Sequence, residues 1–262
     1  MVGCEDMKKE IFIDEESSDY KQALEIWKNF CYEIQHRNRF MVAETTEGKK
    51  LRKCFDDIKN KDFSMKANTD MDFFRARKGD WKTGICSERM NKEFNKAPED
   101  IVSDGRGNAK GISYLYIATD EDTAISEIRP MVGDVITIAT VKIPVDSLQK
   151  IFSFEMLEQY ESHMDNPLIK DTVARNLMHI INEEMSKKIN NSLDYIPLQF
   201  IIEYLKVLGY CAFAFKSSRG TGFNYILFSE TKIEVLNTKV IEVCDIGYTY
   251  KTKEILIPEE AN

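Results

Sequence analysis

Over residues 1–70 the apolar positions fall at helical intervals. Behind the cap candidates Ser17, Ser18 and Asp19, the residues Tyr20, Ala23, Leu24, Trp27, Phe30, Cys31 and Ile34 form one stripe, because a spacing of three and four returns a side chain to the same side of a helix at each turn. Leu51, Cys54, Phe55 and Ile58 predict a second, shorter helix with charged residues between them. The polar residues 60–62 and 66–70 then read as linker.

From Phe73 onward the pattern becomes a mixture of strands and helices. Phe73-Phe74-Arg75-Ala76-Arg77 is a candidate first strand, and a long polar loop over residues 78–111 follows it. Residues 112–118 alternate, which puts Ile112, Tyr114, Tyr116 and Ala118 on one face of a strand. Thr119 or Asp120 caps the next helix, Asp120, Glu121 and Asp122 suit its dipole, and Pro130 stops it. A strand over 135–143 precedes a long helix over 167–189, whose stripe is Leu168, Val173, Leu177, Ile180, Ile181 and Met185. Pro197 suits the start of another helix running to Leu208, with Gly209 as its C-cap. Strands are expected over 210–215, 224–228 and 240–243. The order predicts an α/β (α+β) fold: a helical accessory segment over residues 1–70, then a main domain over 71–262.

Composition narrows the function. With 43% hydrophobic and 31% charged residues the chain is built to fold. Its net charge of −8 argues against a surface made for nucleic acid, which needs a basic stripe; Lys49-Lys50-Leu51-Arg52-Lys53 reads as a solvated helix face. The six cysteines are scattered without a C-x-x-C pair, and no His stands at ligand spacing, so neither a metal site nor a disulfide framework is expected. The acidic N-terminus is unlike a signal peptide and no apolar run approaches the ~18 residues of a membrane span. A cytoplasmic protein off the membrane is the expectation.

Candidate chemistry concentrates between residues 105 and 130, where Arg106, Tyr116 and Glu127 recur at spacings of ten and eleven residues. The loop Gly105-Arg106-Gly107-Asn108-Ala109-Lys110-Gly111 is neither a Rossmann fingerprint, since its third Gly comes late and a strand follows, nor a P-loop, since Lys110 precedes Gly111. It can still offer backbone N–H groups and the planar fork of Arg106 to a pyrophosphate. Arg75 and Arg77 share a strand face, an arrangement that is costly unless an anion lies there or the strand is at an exposed edge. The rings of Tyr114 and Tyr116 can stack on a base or lie in the core. Glu127 sits beside the buried stripe Ala124, Ile125 and Ile128, where a half-shielded carboxylate can steady a developing cation. Ser217 and Ser218 follow a strand and precede glycines, but His36, His163 and His179 are remote in sequence, which argues against a serine-hydrolase triad.

The order of these pieces resembles the RES-domain family. The motifs are an Arg-bearing first strand, G-R-x-N-x-x-G, L-Y-x-A, T-A-x-x-E-x-R-P, then Asp194-Tyr195-Ile196-Pro197-Leu198-Gln199, Ser217-Ser218 and Asn224-Tyr225-Ile226-Leu227-Phe228. The resemblance implies an ADP-ribosyltransferase-like core, a twisted mixed sheet with flanking helices, and NAD⁺ degradation by phosphorolysis or hydrolysis under the control of an antitoxin. It implies Arg106, Tyr116, Glu127 and Ser217 as the catalytic set. Arg75, Arg77, Asn108, Tyr114, Ser218 and Asn224 are candidate substrate contacts. NAD⁺ is then the substrate, with inorganic phosphate as a candidate co-substrate and no resident cofactor. An inhibitory protein and a second copy of the chain are candidate partners. Relative to the small toxins of the family, the N-terminal helices and a helical insertion over residues 150–192 are additions. A mono-ADP-ribosyltransferase and a non-catalytic nucleotide- or partner-binding module are the alternatives.

Overall fold

The computed structural model describes residues 14–61, 71–81, 87–155, 157, 169–187, 191–228 and 232–247. The expected linker residues 62 and 66–70, together with His163, Pro167, Leu168 and Ile189, lie outside them. Among the described residues no helix is long and apolar enough to cross a membrane.

Helix α1 (Ser18–His36) begins where expected: the Ser17 hydroxyl accepts from the Tyr20 N–H at 3.2 Å, and Tyr20, Ala23, Trp27, Phe30 and Ile34 are buried. The single helix expected around Leu51 and Ile58 is instead two, α2 (Thr46–Lys53) and α3 (Asp56–Lys61). Tight bonds from Cys54 N to Leu51 O and from Phe55 N to Arg52 O break the α-helical ladder, yet Phe55 and Ile58 stay fully buried.

Seven strands form one mixed sheet in the order β4-β5-β6-β2-β1-β3-β7. They are β1 (Phe73–Lys78), β2 (Leu115–Ala118), β3 (Val135–Lys142), β4 (Ile151–Phe152), β5 (Ala212–Lys216), β6 (Phe223–Leu227) and β7 (Glu234–Glu242). Among the described strands only β4 and β5 pair in parallel. The expected polar loop over 78–111 contains a helix, α4 (Ser87–Phe94), held by its apolar residues Met90 and Phe94 one turn apart. Helix α5 (Glu121–Glu127) follows β2, α6 (Thr172–Ser186) lies within the insertion, and α7 (Tyr195–Val207) precedes β5. Asp171 caps α6 by accepting from Val173 N at 2.9 Å and Ala174 N at 3.2 Å, which fixes its start inside the broader range expected. Pro197 falls third in α7 rather than first, a position still in the first turn where no N–H is required. Residues 150–192, read as helical, open with β4 on the sheet edge.

The sheet separates two large cores, and a smaller cluster joins its Ala76, Ala118, Ile136 and Ile138 to Ala124 of α5. On one face Phe152, Phe213, Phe215 and Ile226 pack with α1, α6 and α7 through Trp27, Phe30, Leu177, Ile181, Leu198 and Ile201. On the other, Phe73, Leu115, Ile117, Val141 and Tyr225 pack with Met90 and Phe94. The N-terminal helices therefore share a core with the helices of the main domain. Sequence position separates them; packing does not.

Phe30 is fully buried in that shared core and rests against Phe200 with ring centroids 5.2 Å apart. Phe30→Ala is expected to cost about 3–5 kcal/mol of unfolding free energy by urea titration. A loss below about 1 kcal/mol would make α1 a peripheral attachment.

Candidate active site

The site lies where the sheet is least continuous. β1 and β2 share one register pair, Phe74 with Ala118, whereas β2 and β6 pair along four. Into this gap Arg75 sends its guanidinium, donating from Nη1 to the Tyr116 carbonyl. Among the described residues its buried Nε finds no hydrogen-bond partner. Burial, and then the neighbouring Arg77, push the Arg75 pKa down to about 10.

Glu127 is presented by α5, whose cap Asp120 accepts from Thr123 N at 2.7 Å and from the Thr123 hydroxyl at 2.9 Å. Its Oε1 accepts from Ser217 Oγ at 2.8 Å and from Asn224 Nδ2 at 2.7 Å. Asn224 is set on β6 between Ala118 of β2 and Phe215 of β5, and Ser217 stands just beyond the end of β5. The Ser217 hydroxyl also accepts from the N–H groups of Arg219 and Gly220, at 3.1 and 3.0 Å. One donation and two acceptances exhaust a hydroxyl. Ser217, placed in the catalytic set by the resemblance, is thus committed in this arrangement to holding Glu127. A Cβ on Gly220 would lie 2.4 Å from Thr123 Oγ1, so the turn after β5 and α5 touch at a point only glycine permits.

The Arg106 loop is built around a phenol. Tyr116 OH donates to Asn108 Oδ1 at 2.7 Å and accepts from Gly107 N at 3.3 Å. Burial raises the Tyr116 pKa, with the Gly107 N–H opposing it. Gln199 of α7 closes the other side, donating from Nε2 to the carbonyls of Gly105 and Asn108, both at 2.9 Å. A Cβ on Gly107 would come within 2.5 Å of Ile226 Cδ1. Tyr116, whose ring could stack on a base or lie in the core, is here the post on which the loop is hung. Arg106 itself reaches the C-terminal end of α6, donating from Nη1 to Met185 O and from Nη2 to Lys187 O, both at 2.9 Å. Both arms of its fork are therefore anchored. Burial lowers its pKa while Glu127 opposes the shift.

These groups surround a cavity of about 450 Å³. Arg75, Arg106, Asn108, Tyr114, Tyr116, Glu127 and Asn224 line it; Ser217 stands behind Glu127. Ser218 is exposed and outside it. Arg77 points to a different recess, paired with Glu93 at 3.7 Å and lying over the Trp81 ring at 5.8 Å. The anion expected to offset both strand arginines is therefore needed only by Arg75. Tyr114 is chiefly a core residue, 4% exposed, with its ring against Phe228 at 5.3 Å.

The sequence model described as RES domain matches residues 72–249. The chain belongs to the RES-domain family. No curated protein matches it. The matched span contains every residue of the cavity wall, and α1 to α3 lie before it.

Four contributors to the RES-domain site had no role assigned from sequence: Gln199, Tyr195, Arg129 and Arg219. Gln199 and Tyr195 belong to the motif that precedes β5, but their function depends on α7 crossing the Arg106 loop, a contact 94 residues long in sequence for Gln199. Both Arg129 and Arg219 line the cavity: Arg129 stands in the T-A-x-x-E-x-R-P motif without a role of its own read from it, and Arg219 is an arginine that no spacing rule distinguishes.

Arg75 carries a cost that is removed when its proton leaves. Its folded-state pKa lies below the ordinary value, so the penalty is present at neutral pH and falls away as pH rises through about 10. Arg75→Met is accordingly expected to change unfolding free energy by no more than about 1 kcal/mol near neutral pH, because the lost bond to Tyr116 O is offset by relief of a buried charge. Urea titrations at neutral pH and just above pH 10 test this. A loss of several kcal/mol at neutral pH would identify a purely structural cation.

Proposed function

We propose that this RES-domain protein is an enzyme that consumes NAD⁺ by breaking the bond between nicotinamide and ribose. The observation that carries the reading is the fixation of Glu127: two donors hold Oε1, and among the described residues none reaches Oε2, in a cavity whose wall has four arginines against two carboxylates. A preorganised anion in a cationic pocket suits a substrate that combines phosphate groups with a centre that turns positive during reaction.

When the bond breaks, nicotinamide leaves with the bonding electron pair as a neutral molecule, and the anomeric carbon becomes oxocarbenium-like. The leaving group needs no proton, so the protein's task is to position and to stabilise charge. Glu127 steadies the cation through Oε2, with Ser217 and Asn224 fixing its direction. Arg75 meets a phosphate from inside the cavity, and Arg106 adds the donors not used by α6. Water or inorganic phosphate then attacks the anomeric carbon. Water gives ADP-ribose and releases a proton; phosphate gives a phosphorylated ADP-ribose.

Mass analysis of products after incubation with NAD⁺, with and without phosphate, tests the reading and separates the two acceptors. Label retained on a macromolecule would indicate ADP-ribosyl transfer instead. Glu127→Gln is expected to lower turnover by about 100-fold or more while leaving the melting temperature close to that of the parent, because shape is kept and only charge is lost. In a host cell the same substitution should relieve growth inhibition caused by NAD⁺ loss. A Glu127→Gln protein with turnover near the parent's would remove Glu127 from the chemistry.

A further inference from the structure

Two arginines at the cavity mouth remain unused by the chemistry above. Arg129 and Arg219 both line the cavity and are both exposed. Among the described residues neither is paired with a carboxylate. They surround Arg106 closely enough that both oppose its charge. Like charges gathered at one opening raise each other's energy unless an anion joins them.

Each is also held where it is by the machinery of Glu127. Arg129 comes two residues after Glu127, and its φ of 50° is the single left-handed value outside glycine in the described chain. The residue precedes Pro130, and such a conformation costs of order 1–3 kcal/mol for a residue with a Cβ. It turns the chain sharply at the end of α5 and leaves the Arg129 side chain on the cavity wall. Arg219 is tied from the opposite side: its N–H donates to Ser217 Oγ at 3.1 Å, and that hydroxyl donates to Glu127 at 2.8 Å. The contact of Gly220 with Thr123 fixes the turn on α5. Two elements that approach from different parts of the sequence thus each deliver one guanidinium to the cavity that Glu127 also lines.

We infer that Arg129 and Arg219 are specificity residues that together grip a phosphate group of the substrate at the cavity mouth, so that the site takes a pyrophosphate-bearing dinucleotide in preference to a nicotinamide nucleoside. The inference rests on reading the cavity as a nicotinamide-dinucleotide site. Arg75 contacts the substrate from within, the mouth pair from outside, and the ribose bearing nicotinamide is placed over Glu127. A nucleoside lacking phosphate gains nothing from the pair.

The test is calorimetric binding of ADP-ribose, and separately of nicotinamide riboside, to the full chain and to its Arg129→Gln, Arg219→Gln and doubly substituted forms. Each single change should weaken ADP-ribose binding about tenfold, the amount of one charge-assisted hydrogen bond, and should reduce its salt dependence. Nicotinamide riboside binding should not follow. Arg129→Gly supplies a second readout: relief of the left-handed backbone should raise the melting temperature while ADP-ribose binding falls. ADP-ribose affinity unaltered in the double variant, or absent in the parent, overturns the inference whatever the turnover assays show. If the parent binds ADP-ribose, the double variant does not, and NAD⁺ is left intact, the mouth pair stands and the proposed reaction falls.

Discussion

One carboxylate organises this structure. Glu127 ends α5, Ser217 follows β5 and Asn224 lies on β6, and their two hydrogen bonds to Oε1 fasten three elements at the point where β1 and β2 part. The sheet could close further only by drawing β1 toward β2. The guanidinium of Arg75 instead occupies that place and takes the Tyr116 carbonyl that a neighbouring strand would otherwise engage. The opening is thus part of the sheet's hydrogen bonding, and a charged side chain substitutes for backbone.

The arginines show how the molecule divides stability from function. Arg77, equally a strand arginine, has an acidic partner and an aromatic face, and lies outside the cavity. Among the described residues Arg75 has neither, and its buried Nε finds no bond. A fold selected for stability alone would pair or replace that group, since an isolated buried cation is costly. Its retention in a cavity wall agrees with a ligand supplying the missing negative charge. The same reasoning separates Tyr114, packed in the core, from Tyr116, whose hydroxyl holds the Arg106 loop in shape.

What the sequence made legible follows from how local each signal is. The α1 stripe, the Asp120 cap and the short α5 depend on neighbours a few residues away, and all three could be read. Helix α4 was hidden because only Met90 and Phe94 mark its buried side within a polar run. Strand β7 was recognised at its C-terminal end alone: as an edge strand it is mostly exposed, and a register shift opposite Thr140 and Val141 breaks its alternation. The site residues were visible as ordered motifs, but their division of labour was not. That Ser217 supports Glu127 while Ser218 faces solvent depends on which way one turn leaves β5, and that Arg106 leans on α6 depends on a helix about 80 residues further along the chain.

That last contact sets a limit on the length of α6. Met185 O and Lys187 O receive the two arms of Arg106 only because α6 ends at a particular angular phase. Adding or removing one residue within α6 would rotate its final carbonyls by about 100° and shift them by about 1.5 Å along the axis. The guanidinium would then lose its seat even if every residue lining the cavity were kept. Helix α6 therefore acts as a spacer with a fixed pitch, tolerant of changes in its surface side chains and intolerant of changes in its count.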